Sequence, residues 1–182
     1  MPVEALLVID VQLGSLEAVP EADRLVDRVA VLLGKARAAG ALVVHVQNDG
    51  AAGLADAPGT PGWELRLPVE DGEPVIRKSQ DDAFAGTPLT ELLADRGVGS
   101  LAICGLMSEM CVSATARTAL ARDFRVVLPH DAHTTTGVPA VPGVAEAVPA
   151  SVVSRVAEWA LGDQLEVVAH ADEVQFTAPD AG

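Results

Sequence analysis

The sequence is poor in aromatic residues and in basic residues. Aromatic side chains make up 3% of its 182 residues and Tyr is absent, so the apolar content of 49% must come mainly from aliphatic side chains and alanine. Twelve Lys and Arg residues stand against 26 Asp and Glu residues, a formal net charge of −14. Because nucleic acids and anionic membranes repel an acidic surface, and no basic run offsets it, we expect neither as a partner.

Cysteine is also scarce. The two cysteines, Cys104 and Cys111, form no Cys-x-x-Cys pattern, so a disulfide framework is not expected and a reducing, cytoplasmic environment is predicted. The first ten residues carry an acidic residue where a signal peptide would be basic, and their apolar run is too short to cross a membrane. The length and apolar content predict a single domain over residues 1–182.

Short apolar runs alternate with segments of helical periodicity, which are predicted over 21–39, 87–95 and 150–161. The runs are mostly continuous, as expected for strands that helices cover on both faces. We therefore predict an α/β fold, a doubly wound three-layer sandwich with a central, mostly parallel six-stranded sheet. The six predicted strands are Ala5–Ile9, Leu42–Val46, Pro74–Arg77, Leu101–Cys104, Arg125–Leu128 and Leu165–Val168.

Two long segments, 48–73 and 130–143, show no periodicity and are predicted to be loops. Loops of this length in a compact domain are usually functional, and substrate specificity is expected to reside in them. The turn after the first strand has neither a Gly-x-Gly-x-x-Gly pattern nor a phosphate-binding loop, which argues against a nucleotide-binding module.

The position of Cys111 is more informative than its residue type. The fourth predicted strand is broken at Gly105, Ser108 is a good helix N-cap, and an alanine-rich helical pattern follows. Cys111 is thereby predicted in the first turn of a helix, where backbone N–H groups and the helix dipole favour a thiolate. Open parallel sheets bind ligands at this edge, so the thiol is placed where a nucleophile would lie.

Two further residues should reach the same edge. Asp10 closes the first predicted strand and Lys78 follows the third. A thiol nucleophile needs a base to accept its proton and a cation to stabilise the anion, and an Asp and a Lys can meet these needs. Each residue alone is also explained by a turn cap or a solvated charge, but together with Cys111 they indicate a catalytic site.

The order and spacing of these pieces resemble the isochorismatase-like cysteine hydrolases, the superfamily that includes nicotinamidases and N-carbamoylsarcosine amidases. The resemblance implies that Cys111 is the nucleophile, Asp10 the base that later acts as an acid, and Lys78 the stabilising cation. It spans nearly the whole chain, through residues 5–12, 75–79, 82–89, 104–112, 115–116, 126–128, 131–132 and, weakly, 167–174.

The resemblance also implies a cis peptide bond between Leu106 and Met107. The backbone N–H groups of Met107 and Cys111 would then form an oxyanion hole for the substrate oxygen. The implied reaction is attack of Cys111 on a carbonyl carbon, loss of the nitrogen leaving group, and hydrolysis of the resulting thioester. The substrate would be a small amide, ureido or lactam compound.

Departures from the family pattern bear on metal and substrate. Nicotinamidases carry an Asp-x-His metal site after the second strand, whereas this chain has His45-Val-Gln-Asn-Asp-Gly50, so no metal and no cofactor are expected. His130 and His133 lie in a predicted loop and are not expected to form a ligand pair. Residues 45–50 and 61–65 are more similar to a subgroup that includes streptothricin-hydrolase-like proteins.

Other members of the superfamily leave alternatives open: vinyl-ether hydrolysis of the isochorismatase type, a thiol-redox protein, or a non-catalytic member. The expected partner is a small-molecule substrate. As in much of the family, we also expect the chain to form a homo-oligomer, either a dimer or a tetramer. Six side chains are candidates for the pocket wall; for Trp63 and Phe84 among them, packing of a loop onto the core is the alternative. The six are Gln12, Gln47, Trp63, Phe84, Leu106 and Ser108.

Overall fold

Seven strands, paired in parallel, form the central sheet of the computed structural model, which describes residues 1–179. The strand order is β3-β2-β1-β4-β5-β7, and the short β6 pairs with β4 beside this path. The strands are β1 (Ala5–Ile9), β2 (Leu42–Asn48), β3 (Val75–Lys78), β4 (Ser100–Leu106), β5 (Arg125–Pro129), β6 (His133–Thr134) and β7 (Glu166–Val168).

Helices cover both faces of this sheet. They are α1 (Leu13–Glu17), α2 (Ala22–Ala39), α3 (Leu89–Asp95), α4 (Ser113–Ala121) and α5 (Ala150–Ala160). Alternate strand residues enter two separate apolar cores: Leu7 and Ile103 face α3 and α4, whereas Leu6 and Ala102 face α2. The predicted doubly wound, three-layer α/β sandwich is therefore confirmed.

The prediction of six strands is corrected to seven. Proline has no N–H to donate, and a 3-10 helix (His130–Ala132) follows Pro129, so β5 ends there. The chain then returns to the sheet as β6, which pairs with the last two residues of β4 in the register Gly105 to His133 and Leu106 to Thr134. A two-residue strand carries no detectable sequence pattern, which is why it was predicted as loop.

The predicted long helix is α2, whose buried stripe has the expected spacing. Its buried residues are Leu25, Val29, Leu32, Leu33 and Ala36, and it ends at Gly40, which has a left-handed φ of 69°. No helix within residues 1–179 is long and apolar enough to cross a membrane.

The sheet topology determines where a site can form. From β1 the chain proceeds to β2 and β3 on one side, then crosses to β4 on the other side. The strand order reverses between β1 and β4, and ligands of open α/β sheets bind at the carboxyl ends of the strands at such a point. Asp10 directly follows β1, and Cys111 lies five residues beyond β4.

Candidate active site

The structure brings together the three residues that the sequence predicted at one sheet edge. The Lys78 ammonium nitrogen lies 2.7 Å from Asp10 Oδ2 and 3.3 Å from Cys111 Sγ. Lys78 also donates to Asn48 Oδ1 at 3.4 Å. The ammonium group therefore lies between a carboxylate and a thiol.

Local backbone geometry directs β1 and β4 toward this point. Asp10 has a left-handed φ of 51°, so the chain turns sharply where β1 ends. Gly105, in β4, has a φ of 117°, and a Cβ atom there would lie 2.0 Å from the carbonyl oxygen of Ile9. Only glycine permits this close approach of the two strands next to the site.

The Leu106–Met107 peptide bond is cis. The turn that follows it and carries Cys111 differs from the prediction: residues Ser108–Val112 form a π-type turn in which the Val112 N–H donates to Met107 O at 3.2 Å. Helix α4 begins only at Ser113, so Cys111 precedes the helix instead of lying in its first turn.

Ser108 is not the predicted helix N-cap, and it does not line the pocket. Its hydroxyl group is buried and makes hydrogen bonds with His133 Nδ1 at 2.7 Å and with Ser154 Oγ at 2.9 Å. Ser108 thus connects the start of the Cys111 turn to β6 and α5. Because His133 and Ser154 are distant from Ser108 in sequence, the local pattern around Ser108 indicated a helix N-cap, which is wrong.

Burial dominates the electrostatics of the site. It raises the pKa of Cys111 to about 12, and the charge of Asp10 acts in the same direction while Lys78 opposes both. The expectation that a helix N-terminus would favour the thiolate is corrected accordingly. Burial would lower the pKa of Lys78, but attraction to Asp10 and Cys111 raises it. The resting site thus holds a protonated thiol 3.3 Å from an ammonium group that is itself paired with Asp10.

Burial also raises the pKa of Asp10, although Lys78 acts against this effect. Asp10 Oδ2 is paired with Lys78, but Asp10 Oδ1 is buried and accepts no hydrogen bond from residues 1–179. This oxygen is free to accept a proton or a hydrogen bond from a ligand.

A cavity of about 170 Å³ opens onto Cys111 and Asp10. Leu106, predicted to line the pocket, does so, together with Met107 of the predicted oxyanion hole. The sequence reasoning missed the remaining wall residues, which are Ser15, Asn48, Asp56, Asp81 and Met110. Asn48 is the last residue of β2, so it lies at the same sheet edge as Asp10, which directly follows β1. Its place at the end of a strand could have identified Asn48 from the sequence.

Three predicted wall residues instead attach the 48–73 segment to the sheet. Gln12 donates to the carbonyl oxygens of Asn48 and Trp63 at 3.0 and 2.9 Å, and Gln47 donates to the same Trp63 oxygen at 2.9 Å. The Trp63 indole N–H donates to Asp49 at 3.0 Å, and the Arg77 guanidinium lies 5.0 Å from the ring centroid. These three residues are outside the pocket wall and fix the position of the segment.

Phe84 is likewise not a wall residue. It is buried in the core on the α3 and α4 side, with its ring centroid 6.1 Å from that of Phe124. Its apolar ring is removed from water by this packing, which accounts for its position without a role in binding.

The histidines that were expected to remain apart converge on one carboxylate. His130 Nδ1 and His133 Nε2 lie 2.5 and 3.0 Å from Glu158 Oε1, and the three ligand atoms are within 4.8 Å of one another. Such a set can bind a divalent metal, and in this structure its members are hydrogen-bonded to each other. Glu158 lies on α5, so sequence spacing gave no sign of the cluster.

Comparison with known proteins agrees with this fold. The isochorismatase domain model matches residues 4–147. Two proteins of Streptomyces noursei named streptothricin hydrolase are 62% and 61% identical to this chain over 97% of its length. The chain covers 72% of the first and 66%, just under two thirds, of the second.

Solved structures give the same result. An isochorismatase from Pseudomonas putida KT2440 superimposes with a TM-score of 0.86 at 30% identity, over 94% of this chain and 90% of the other. The chain belongs to the isochorismatase family, as its motifs predicted. It is a hydrolase of the class that acts on carbon–nitrogen bonds other than peptide bonds.

Proposed function

We propose that this protein is a cysteine hydrolase that cleaves the carbon–nitrogen bond of a small amide, ureido or lactam compound. Cys111 is the nucleophile, Asp10 the proton acceptor and donor, and Lys78 the cation that holds both in place. One observation carries the proposal: Lys78 Nζ lies 2.7 Å from the Asp10 carboxylate and 3.3 Å from the Cys111 thiol, and these two groups line a pocket.

The first half-reaction forms a thioester. A thiol with a pKa near 12 must lose its proton as it attacks, and Asp10 accepts that proton. Sulfur bonds to the carbonyl carbon, and the developing oxyanion receives hydrogen bonds from the N–H groups of Met107 and Cys111. Asp10 then protonates the nitrogen, the carbon–nitrogen bond breaks, and the amine departs.

The second half-reaction restores the enzyme. Asp10 accepts a proton from water, the hydroxide oxygen bonds to the thioester carbon, and the carbon–sulfur bond breaks. Sulfur recovers the proton from Asp10, so the sum is one water consumed and one carbon–nitrogen bond cleaved. Lys78 remains an ammonium ion throughout and stays paired with Asp10 Oδ2. These steps use only the chain's own groups, and we infer that the reaction requires no metal.

A thiol-redox role has less support. Cys104 is the second cysteine, and it is fully buried with its sulfur 3.6 Å from the carbonyl oxygen of Leu7. Burial raises the pKa of its thiol as well, so it is poorly placed to resolve an oxidised Cys111.

The first substrate to test is streptothricin, because two relatives more than 60% identical to this chain carry that name. Product release is measured for streptothricin and for a panel of small amides, ureido acids and lactams. The wild type, Cys111→Ala and Cys104→Ala are compared. We expect Cys111→Ala to lose at least about 10³-fold in kcat/KM, while Cys104→Ala retains turnover.

Rapid acid quenching during turnover, followed by intact-mass analysis, should reveal an acyl group on the wild type that maps to Cys111. Turnover by Cys111→Ala near the wild-type rate would overturn the assignment. Turnover lost in both cysteine variants, with both folded, would also count against it.

A further inference from the structure

The pocket has more negative charge than its cation can neutralise. Asp10, Asp56 and Asp81 line it, and Lys78 is paired with Asp10. Among residues 1–179, neither Asp56 nor Asp81 forms an ion pair with a basic side chain. Two carboxylates therefore remain uncompensated at the wall of a small cavity.

The Asp56 carboxylate is held in a defined position. Asn48 Nδ2 donates to Asp56 Oδ2 at 2.7 Å, and the same amide accepts from Lys78 through its oxygen. Gly50 leaves room for the other oxygen, since a Cβ atom at this position would lie 2.1 Å from Asp56 Oδ1. One oxygen is thus fixed by the site's own hydrogen-bond chain, and the other has no hydrogen-bond donor within the described residues.

Asp81 lies beside the nucleophile in the same pocket wall. Its Oδ1 is 3.7 Å from Cys111 Sγ, and the residue is exposed to solvent. A group bound next to the sulfur therefore also lies close to this carboxylate.

The catalytic carboxylate supplies a second feature, which indicates that the ligand brings hydrogen-bond donors. Asp10 Oδ1 lies in the same pocket, is buried, and has no partner among residues 1–179. A buried carboxylate oxygen without a donor costs free energy, and a ligand N–H group would remove that cost.

We propose that Asp56 and Asp81 form a subsite for a protonated amine, and that the substrate carries such an amine close to the carbonyl group that is cleaved. This inference rests on the proposed function, since it assigns a substrate class to the same pocket. The net charge of −14 would add long-range attraction for a cation, and an anionic ligand would be repelled.

The test compares two ligands that differ by one charge: α-amino-ε-caprolactam and its neutral N-acetyl derivative. Binding to Cys111→Ala is measured by calorimetry, so that chemistry does not intervene. We expect the amine to bind at least about tenfold more tightly, with a preference that weakens as salt increases. Asp56→Asn and Asp81→Asn, each added to Cys111→Ala, should reduce the affinity for the amine about fivefold.

Two controls separate position from net charge. Asp163→Asn makes the same change of charge on an exposed loop residue outside the pocket and should leave the preference intact. Gly50→Ala keeps every charge but displaces the Asp56 carboxylate, and should weaken binding of the amine as Asp56→Asn does.

Equal affinities for the two lactams, no binding of the amine at millimolar concentration, or an equal loss in Asp163→Asn would each overturn the subsite. The subsite and the proposed function fail separately. Amine-selective binding to Cys111→Ala, with turnover by the wild type that does not depend on Cys111, would overturn the function alone. Cysteine-dependent hydrolysis with no preference for the amine would overturn the subsite alone.

Discussion

The ammonium group of Lys78 and the carboxylate of Asp10 form an ion pair of 2.7 Å that is almost fully shielded from water, with the side chains 0% and 6% exposed. Charges at this depth interact strongly, and loss of one partner leaves the other uncompensated. The pair therefore modulates the ionisation of Cys111, on which burial has the largest effect and whose sulfur lies 3.3 Å from the same nitrogen.

Opposite effects on the thiol are expected from the two members of this pair. Asp10 raises the pKa of Cys111 and Lys78 lowers it, so Asp10→Asn should lower that pKa and Lys78→Met should raise it. At a fixed pH near 8, we expect alkylation of Cys111 by iodoacetamide to be at least about tenfold faster in Asp10→Asn, a shift of one pKa unit or more, although turnover is lost. In Lys78→Met it should be slower than in the wild type.

The measurement is the alkylation rate between about pH 7 and about pH 10, the range in which thiol ionisation can be followed. Cys111→Ala serves as the blank for any reaction of Cys104. Slower alkylation in Asp10→Asn, or an unchanged rate in Lys78→Met, would contradict the electrostatic description of the site.

A pH-dependent contribution to stability is expected from Glu73, which precedes β3. Burial alone would raise the pKa of Glu73, but hydrogen bonds from Arg37, the Glu70 N–H and His45 lower it to about 2, from 4.5. A carboxyl group with a lowered pKa stabilises the fold fully when the pH is above its pKa in the unfolded chain. This stabilisation is lost as the pH falls through its pKa in the folded protein. It should therefore be present at pH 7 and fade from about pH 5 to about pH 2.

Glu73→Gln should accordingly lower the free energy of unfolding at pH 7 by up to about 3 kcal/mol. The difference from the wild type should shrink as the pH of a urea titration is lowered toward 3. Glu70→Gln is the matched control: its carboxylate is 59% exposed, 3.2 Å from Arg37, and should contribute less than about 1 kcal/mol. A difference at pH 7 that persists unchanged in acid would refute the linkage.

Gly105 should tolerate no side chain. Gly105→Ala combines a φ of 117° with a Cβ atom 2.0 Å from the Ile9 carbonyl oxygen, and we expect destabilisation by more than about 3 kcal/mol, or failure to fold. Gly34→Ala is the control, because nothing lies within 4 Å of a Cβ atom there and the position is inside α2. It should stabilise by about 0.5–1 kcal/mol. Denaturant titrations of both variants test the contrast, and a Gly105→Ala protein as stable as the wild type would disprove it.

Ser108 is expected to position the turn that carries the nucleophile. Ser108→Ala leaves His133 Nδ1 and Ser154 Oγ without their partner, at a cost of about 1–3 kcal/mol in unfolding free energy. Because the turn begins at this residue, kcat should fall by about tenfold or more, with a smaller change in KM. Ser154→Ala keeps the bond from Ser108 to His133 and should retain more activity. An unchanged kcat in Ser108→Ala would show that the turn holds its shape without this contact.

The sequence was sufficient to predict the sheet and to bring Asp10, Lys78 and Cys111 to one edge. Asp10 and Cys111 follow strands that are visible as apolar runs, and Lys78 ends β3. Parallel strands align their carboxyl ends whatever the loops do. The family motifs then supplied the likeness that the comparisons confirm. The domain boundaries, the homo-oligomer and the cytoplasmic location stay predictions.

Side-chain partners across the fold were not predictable in this way. Asp56 lies in a segment without periodicity. Ser108 makes hydrogen bonds with His133 and Ser154, which are distant in sequence, and does not cap a helix. The side-chain amides of Gln12 and Gln47 donate to the backbone carbonyl group of Trp63, a partner that no spacing rule identifies. The pKa of Cys111 depends on burial of the assembled site, so a local argument from the helix dipole gave the wrong direction.

Tryptophan fluorescence can report on the 48–73 segment, which borders the site. The chain has two tryptophans and no tyrosine. Trp159 is 76% exposed on α5, whereas Trp63 is fixed between Asp49 and Arg77. Trp159→Phe would thus leave one fluorophore, Trp63, which lies in this segment and whose carbonyl oxygen accepts the hydrogen bonds of Gln12 and Gln47. Its emission would report release of that segment separately from unfolding of the sheet, in a protein with no other strong emitter.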